Sequence, residues 1–170
     1  EEENIANFYK AVTDVMSGLT YDYELIFVDD GSSDSSAMIL REIAFNDKHV
    51  KVLLLARNFG HQTALTCGLD YAHGDAVITM DGDMQHPPAL IPELVRLWES
   101  GYDVVRTIRD STDDASWAKS FTSKYYYKLM NKMADVPIVE GGSDFRLMNS
   151  KALGTLKRLS LIHISEPTRL

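Results

Sequence analysis

Two aspartates one residue apart, Asp81 and Asp83, directly follow the apolar run 76–80. Residues i and i+2 of an extended chain point the same way, so both carboxylates can offer oxygens to one divalent cation. Gln85 adds an amide oxygen two residues further on. A small number of hard oxygen ligands suits Mg²⁺ or Mn²⁺ shared with a substrate diphosphate, which indicates nucleotide chemistry. The alternative is that Asp and Gly at 81–83 only form the turn that ends the strand.

Polar side chains also follow two earlier apolar runs. Asp29 and Asp30 end the first, and Arg57 and Asn58 follow the second. If these runs are parallel strands, their carboxyl ends share one edge of the sheet, where ligands of α/β proteins bind. Four carboxylates and a cation at that edge favour a binding site over chance loop polarity.

Predicted strands and predicted helices alternate along the chain, and they must position these residues. This alternation predicts an α/β fold, with a mostly parallel sheet covered by helices on both faces. The predicted helices lie at 4–19, 35–45, 62–72 and 88–99, and the predicted strands at 24–28, 51–56, 76–80 and from 103 onward.

Composition limits the class of protein. A chain of 170 residues with 45% hydrophobic and 25% charged residues fits one globular domain. The net charge of −8 and 17 scattered basic residues argue against a nucleic-acid partner. One cysteine permits no disulfide within the chain, and no apolar run reaches the roughly 18 residues of a membrane span. We therefore expect a cytoplasmic protein that is soluble or peripheral to a membrane.

Three ordered motifs resemble those of the family 2 glycosyltransferases, which have the GT-A fold. They are VDDGSSD at 28–34, RNFGHQ at 57–62 and DGDMQHPP at 81–88. Together with GSDFRLM at 142–148, they are most similar to the branch that transfers a sugar to a polyprenyl or dolichyl phosphate. The resemblance covers roughly residues 1–159. It implies an inverting, metal-dependent hexosyltransferase at the inner face of the membrane.

The resemblance also implies which residues bind the donor, a UDP-sugar in the first place or else a GDP-sugar. Asp81, Asp83 and Gln85 would hold Mg²⁺ or Mn²⁺ on its diphosphate. An ionised carboxylate such as Asp30 is purely an acceptor, which suits a pyrimidine N–H or a ribose hydroxyl. The full donor-binding set implied is Asp29, Asp30, Ser32, Arg57, Asn58, Gly60 and Asp81.

A simpler interpretation of the Asp29-Asp30 pair remains open. Acids near the start of the following helix favour the positive end of its dipole, and Ser32 or Ser33 would then be the capping residue. This role and the pocket role are compatible with each other.

Asp83, Asp144 and Arg146 are the catalytic residues that the resemblance implies. Glycines at 141–142 predict a loop that closes over a substrate. Asp144 either takes a proton from a hydroxyl acceptor, orients a phosphate acceptor or the metal, or pairs with Arg146. His61 and His86 are expected to line the site rather than to act in catalysis.

An acceptor phosphate requires cations, and Arg109 with Lys119 behind it is best placed to supply them. The comparable loop of this branch is rich in Arg and Lys, whereas residues 110–116 here read DSTDDAS. The segment 121–133 is amphipathic, and it either faces a membrane or packs on the sheet.

The ends of the chain differ from the family pattern. The chain starts within the family's first motif, so we expect a partial catalytic domain at 1–159 whose first strand is missing. Residues 160–170 are unlike the family and are expected to be a non-native or disordered tail. Besides transfer to a polyprenyl phosphate, two alternatives stay open: transfer to a saccharide or other hydroxyl acceptor, and an inactive fragment with residual nucleotide binding.

Overall fold

The computed structural model describes residues 2–108 and 142–165. The strands are β1 Leu25–Asp29, β2 Val50–Leu54, β3 Ala76–Thr79, β4 Val104–Ile108 and β5 Gly142–Asn149. The helices are α1 Glu2–Ser17, α2 Ser36–Asn46, α3 His61–Tyr71, a 3₁₀ turn Pro88–Leu90, α4 Ile91–Glu99 and α5 Ser150–Ser165. The predicted elements up to β4 are confirmed to within a few residues at each end.

The strands form two sheets with different pairing. β1 and β2 are parallel, from Leu25 opposite Val50 to Asp29 opposite Leu54. The second sheet has the order β3-β5-β4, and β5 runs antiparallel to β3. The prediction of a loop beginning at the glycines 141–142 is wrong from Gly142 onward, because this segment is strand β5. The predicted α/β class is confirmed, with one antiparallel strand that was not expected.

One apolar core joins α1, α4 and strands of both sheets. Residues at helical spacing on α1 turn one face inward, and Phe8 meets Phe27 of β1 edge to face at 6.1 Å between ring centroids. Full burial of a side chain of this size contributes about 1.5–3 kcal/mol. The buried members are Phe8, Val12, Ile91, Leu94, Val105, Phe145 and Leu147.

The contacts between residues divide the chain into two units, Glu1–Val105 with Phe145–Leu170, and Arg106–Asp144. The loops after β1, β2 and β3 all belong to the first unit. Within the described residues, no helix is both long and apolar enough to cross a membrane.

We call the edge where β1, β2 and β3 begin the amino edge. There, Glu24 accepts a hydrogen bond from Lys51 Nζ at 2.5 Å and one from the His73 backbone N–H at 2.9 Å. Partial burial raises the pKa of Glu24, but the hydrogen bonds from Lys51 and His73 outweigh it, so the net pKa is lowered. This carboxylate therefore joins the starts of β1, β2 and β3.

Asp47 fixes the turn that enters β2 at the same edge. It accepts hydrogen bonds from the His49 backbone N–H at 2.9 Å and the Tyr9 hydroxyl at 2.9 Å, and His49 Nδ1 lies 2.8 Å from Oδ1. The His49 backbone N–H, followed by the Tyr9 hydroxyl, lowers the pKa of Asp47. Asp47 thus links α1 to the start of β2.

Candidate functional site

We call the opposite edge, formed by residues 30–35, 55–60 and 80–87, the carboxyl edge. Asp30 joins two of its loops. Its Oδ1 accepts the Phe59 backbone N–H and its Oδ2 accepts the Gly60 backbone N–H, both at 2.8 Å. Hydrogen bonds to an ionised acceptor are roughly twice as strong as neutral ones. We call this pair of bonds the Asp30 clamp.

Gly31 lets the same two loops approach each other closely. Its φ is +72°, and a Cβ placed there would lie 2.4 Å from the Arg57 carbonyl carbon and 2.7 Å from the Asn58 nitrogen. No other residue fits without moving backbone, because both the dihedral angle and the space exclude a side chain. The DDG sequence is thus explained by loop packing as well as by chemistry.

The loop held by the clamp presents Arg57, Asn58 and Phe59. The guanidinium of Arg57 lies over the Phe59 ring at 4.8 Å from its centroid, a favourable cation–π distance. Asn58 Oδ1 accepts the same Gly60 N–H at 3.0 Å. Phe59 is 48% exposed, so the stacked pair faces solvent at the carboxyl edge.

Asp29 is buried at the end of β1 and accepts the Ser32 backbone N–H at 3.3 Å. The prediction that Ser32 or Ser33 caps the next helix is wrong. α2 begins only at Ser36, whose N–H binds Asp34 Oδ1 at 3.0 Å. The interaction with Ser36 holds the pKa of Asp34 well below its usual range.

Two histidines flank Asp81. Asp81 Oδ1 lies 4.0 Å from Nδ1 of His61, the first residue of α3, and Asp81 Oδ2 lies 3.7 Å from Nδ1 of His86. The Asp81 side chain is 36% exposed, whereas that of His86 is 13% exposed and packs against the Phe145 ring at 5.5 Å. The carboxylate is therefore accessible from solvent yet bordered by nitrogen on both sides.

Asp83 shapes the loop after β3. Its Oδ1 accepts the Gln85 backbone N–H at 2.9 Å, and this local turn brackets Met84, which has a φ of +64°. A left-handed conformation at Met costs of order 1–2 kcal/mol, so the surrounding structure must hold the loop in this conformation. Asp83 and Gln85 are both exposed.

The predicted metal ligands Asp81, Asp83 and Gln85 supply only oxygen donors, which fits Mg²⁺ or Mn²⁺. Within residues 2–108 and 142–165, no three His, Cys, Asp or Glu side chains converge to hold a metal by themselves. The donor set therefore fits a cation that takes further oxygens from a substrate.

Arg146 also reaches this edge, because it stands opposite Thr79, the last residue of β3. Asp144 lies two residues earlier in β5, in the other unit, and is half-buried. Arg109 and Lys119, the predicted acceptor-phosphate residues, lie outside the described residues, as do the segment 121–133 and residues 166–170.

His61 and His86 were expected only to line the site, and no role was predicted for either beside Asp81. His61 follows Gly60, whose positive φ of 94° is set by the folded loop that precedes α3. Nothing local to His86 indicated that its ring would pack on Phe145 of a distant strand.

Residues 1–156 match the family model described as glycosyl transferase family 2. The chain belongs to that family. Its α/β architecture is the GT-A fold expected from the motifs.

Named relatives agree with this assignment. The bactoprenol glucosyl transferase of Shigella phage SfV is 40% identical over 159 residues, covering 94% of this chain and 52% of the relative. The prophage bactoprenol glucosyl transferase homolog of Escherichia coli K12 is 39% identical, covering 92% of this chain and 51% of the relative. The chain thus spans about half the length of these curated relatives.

A solved structure supports the fold alone. TarS residues 1–349 from S. aureus superpose with a TM-score of 0.55 at 17% sequence identity, over 92% of this chain and 46% of TarS.

Proposed function

We propose that this family 2 chain binds a nucleotide-diphosphate sugar at its carboxyl edge and forms the donor side of an inverting glycosyltransferase. The supporting observation is that the loops after β1, β2 and β3 meet at one edge. Binding at the carboxyl ends of strands is the rule for open α/β sheets.

The proposed donor pocket has two parts. Asp29 and Ser32, with the loop 57–60, would border the base and ribose. Asp81, Asp83 and Gln85 would lie against the diphosphate and hold Mg²⁺ or Mn²⁺. Such an ion, when bound, offsets the negative charge of the diphosphate leaving group.

The polyprenyl phosphate acceptor is proposed from the names of the relatives, one of which is named a bactoprenol glucosyl transferase and another a bactoprenol glucosyl transferase homolog. The acceptor oxygen would attack the anomeric carbon from the side opposite the diphosphate, which inverts the configuration there. A phosphate oxygen is already anionic near neutral pH, so Asp144 and Arg146 would orient it rather than remove a proton. Arg109 and Lys119 are proposed to bind its charge, at the inner face of a membrane.

Calorimetry with Asp83→Asn tests the donor site. Asn keeps an acceptor for the Gln85 N–H but removes the charge that a metal needs. We expect the parent to bind UDP, or else GDP, only with Mn²⁺ present, and the variant to bind at least about tenfold more weakly, a loss of about 1.4 kcal/mol.

Asp22→Asn is the matched control, because Asp22 is an exposed acid outside the carboxyl edge. It should bind like the parent. Binding that is equally tight with and without Mn²⁺, or equally tight in Asp83→Asn, would contradict the proposed metal role. A folded parent that binds neither nucleotide would overturn the donor site itself.

A transfer assay then separates the acceptors. UDP-glucose is the first donor to try, since the relatives are named glucosyl transferases. Product on a polyprenyl phosphate in detergent micelles, retained in Asp144→Asn, supports the lipid-phosphate acceptor. Product only on a saccharide, lost in Asp144→Asn, supports the alternative in which Asp144 is a general base.

A further inference from the structure

We infer that His86 is a positioning residue: its ring, packed on Phe145, anchors the loop 81–87 and thereby orders the acids that this loop carries. Exposure is the first observation. The side chain of His86 is 13% exposed, whereas the other residues of the segment 82–87 are all exposed. His86 is therefore the one residue of that segment whose side chain is largely buried.

The ring of His86 packs on the apolar core. Phe145 is completely buried, and its ring centroid lies 5.5 Å from that of His86, with 40° between the ring planes. Aromatic pairs at such separations are stabilised beyond the gain from burial alone. Phe145 belongs to β5, which pairs with β3 as far as Thr79. The contact thus fastens the far end of the loop to the sheet from which the loop starts.

The middle of the loop requires such an anchor, because Met84 is strained. Its φ of +64° is a left-handed conformation that residues with a side chain rarely adopt. The Gln85 N–H donates to Asp83 Oδ1 at 2.9 Å, but this bond spans only two residues. It shapes the turn without fixing the turn to the sheet. His86 comes next in the chain, so its contact with Phe145 sets where the turn lies.

The consequence concerns the donor site, and this step rests on the proposed function. Ligands that are already held in place bind a metal and a diphosphate without the free-energy cost of ordering a loop. The ring contact, rather than a ring nitrogen, is what supplies this order. Nδ1 of His86 lies 3.7 Å from Asp81 Oδ2, which is longer than a hydrogen bond.

Two variants separate the ring of His86 from its nitrogens. His86→Asn keeps a nitrogen close to the position of Nδ1 and removes the ring, whereas His86→Phe keeps a ring and removes both nitrogens. By NMR we expect backbone order parameters of about 0.85 for the amides of residues 82–86 in the parent and in His86→Phe. In His86→Asn they should fall below about 0.6.

His49→Asn is the matched control. It removes a histidine ring that stacks on Tyr23 at 4.9 Å between centroids, at the amino edge. This variant should lower the free energy of unfolding and leave the loop 81–87 ordered. A general loss of stability is thereby distinguished from the loss of the anchor.

Calorimetry measures the effect on the donor site. With Mn²⁺ present, His86→Asn should bind UDP, or else GDP, at least about tenfold more weakly than the parent, a loss of about 1.4 kcal/mol. His86→Phe and His49→Asn should bind like the parent. Unchanged binding by a His86→Asn protein whose loop has lost its order would overturn the positioning role.

The inference is also overturned if the loop stays ordered in His86→Asn, or if His86→Phe loses order to the same extent. If His86→Asn does not fold, the parent decides. Nuclear Overhauser effects between the rings of His86 and Phe145 are expected, and their absence would overturn the inference. If the folded parent binds neither nucleotide, the proposed function fails, and the order parameters still decide whether His86 anchors the loop.

Discussion

The two edges of the strands use their carboxylates differently. At the amino edge, Glu24 and Asp47 each accept hydrogen bonds from other segments, and their pKa values are lowered. At the carboxyl edge, Asp81 lies 3.7 Å or more from the His86 and His61 nitrogens that flank it. Among the described residues, the one hydrogen bond of Asp83 is local, accepted from the Gln85 N–H.

This difference indicates that the acids of the two edges have different roles. Acids at the amino edge stabilise the fold, because their charge is used within the protein. The carboxylates after β3 keep oxygen lone pairs that can bind a ligand. Asp30 is the exception at the carboxyl edge, since its clamp makes it resemble the amino edge.

The largest effect on stability should come from Gly31→Ala at the carboxyl edge. A Cβ at this position would lie 2.4 Å from the Arg57 backbone. The φ of +72° is also unfavourable for a residue with a side chain. Strain and overlap together should lower the free energy of unfolding by about 3 kcal/mol, measured by urea denaturation. A loss of this size would show that the clamped loops are the rigid part of the carboxyl edge.

Gly101→Ala is the control for the dihedral angle alone. Gly101 has a φ of +101° but nothing within 4 Å of a built Cβ. It should lose only about 1 kcal/mol. Equal losses at Gly31 and Gly101 would show that the close approach of the two loops contributes nothing.

Asp47→Asn should have the next largest effect, about 1–2 kcal/mol near pH 7, from weakened bonds to His49 and Tyr9. Because the folded pKa of Asp47 is lowered, its stabilisation is complete above the unfolded value near 4 and is lost as the pH falls through the folded value. The difference between parent and variant should therefore shrink below about pH 4. Urea titrations at several pH values measure it, and a pH-independent difference would contradict the assignment.

Asp83→Asn should have the smallest effect on stability, within about 0.5 kcal/mol, although it is expected to weaken metal-dependent binding at least about tenfold. Asp83 is exposed and Asn can keep the local turn. Thermal unfolding without ligand is the measurement. A loss as large as that of Asp47→Asn would erase the proposed distinction between the two edges.

Local pattern was enough to predict most of the elements. Apolar residues at helical spacing located α1, and the short apolar runs located β1 to β3. Strand β5 was missed because its glycines are typical of a loop and its partner β3 lies far away along the chain. Phe145 and Leu147 are completely buried, in the core that they share with residues of α1, α4 and β4.

The site was predicted by residue type rather than by contact. Asp30 and Asp81 lie at the carboxyl edge, after β1 and β3, and their roles stay a prediction. The partners of Asp30 are backbone N–H groups 29 and 30 residues away, and backbone groups carry no sequence signal. The approach of His61 to Asp81 likewise follows from where α3 begins, which only the folded loops determine.

The position of β5 has a consequence for synthesis of the chain. β3 ends at Thr79, but the strand that pairs with it, β5, begins at Gly142. A ribosome adding roughly 5–20 residues per second would leave this edge of β3 without its partner for several seconds. An unpaired strand edge can recruit other chains, so a chaperone that binds apolar strands should associate with nascent chains in this interval.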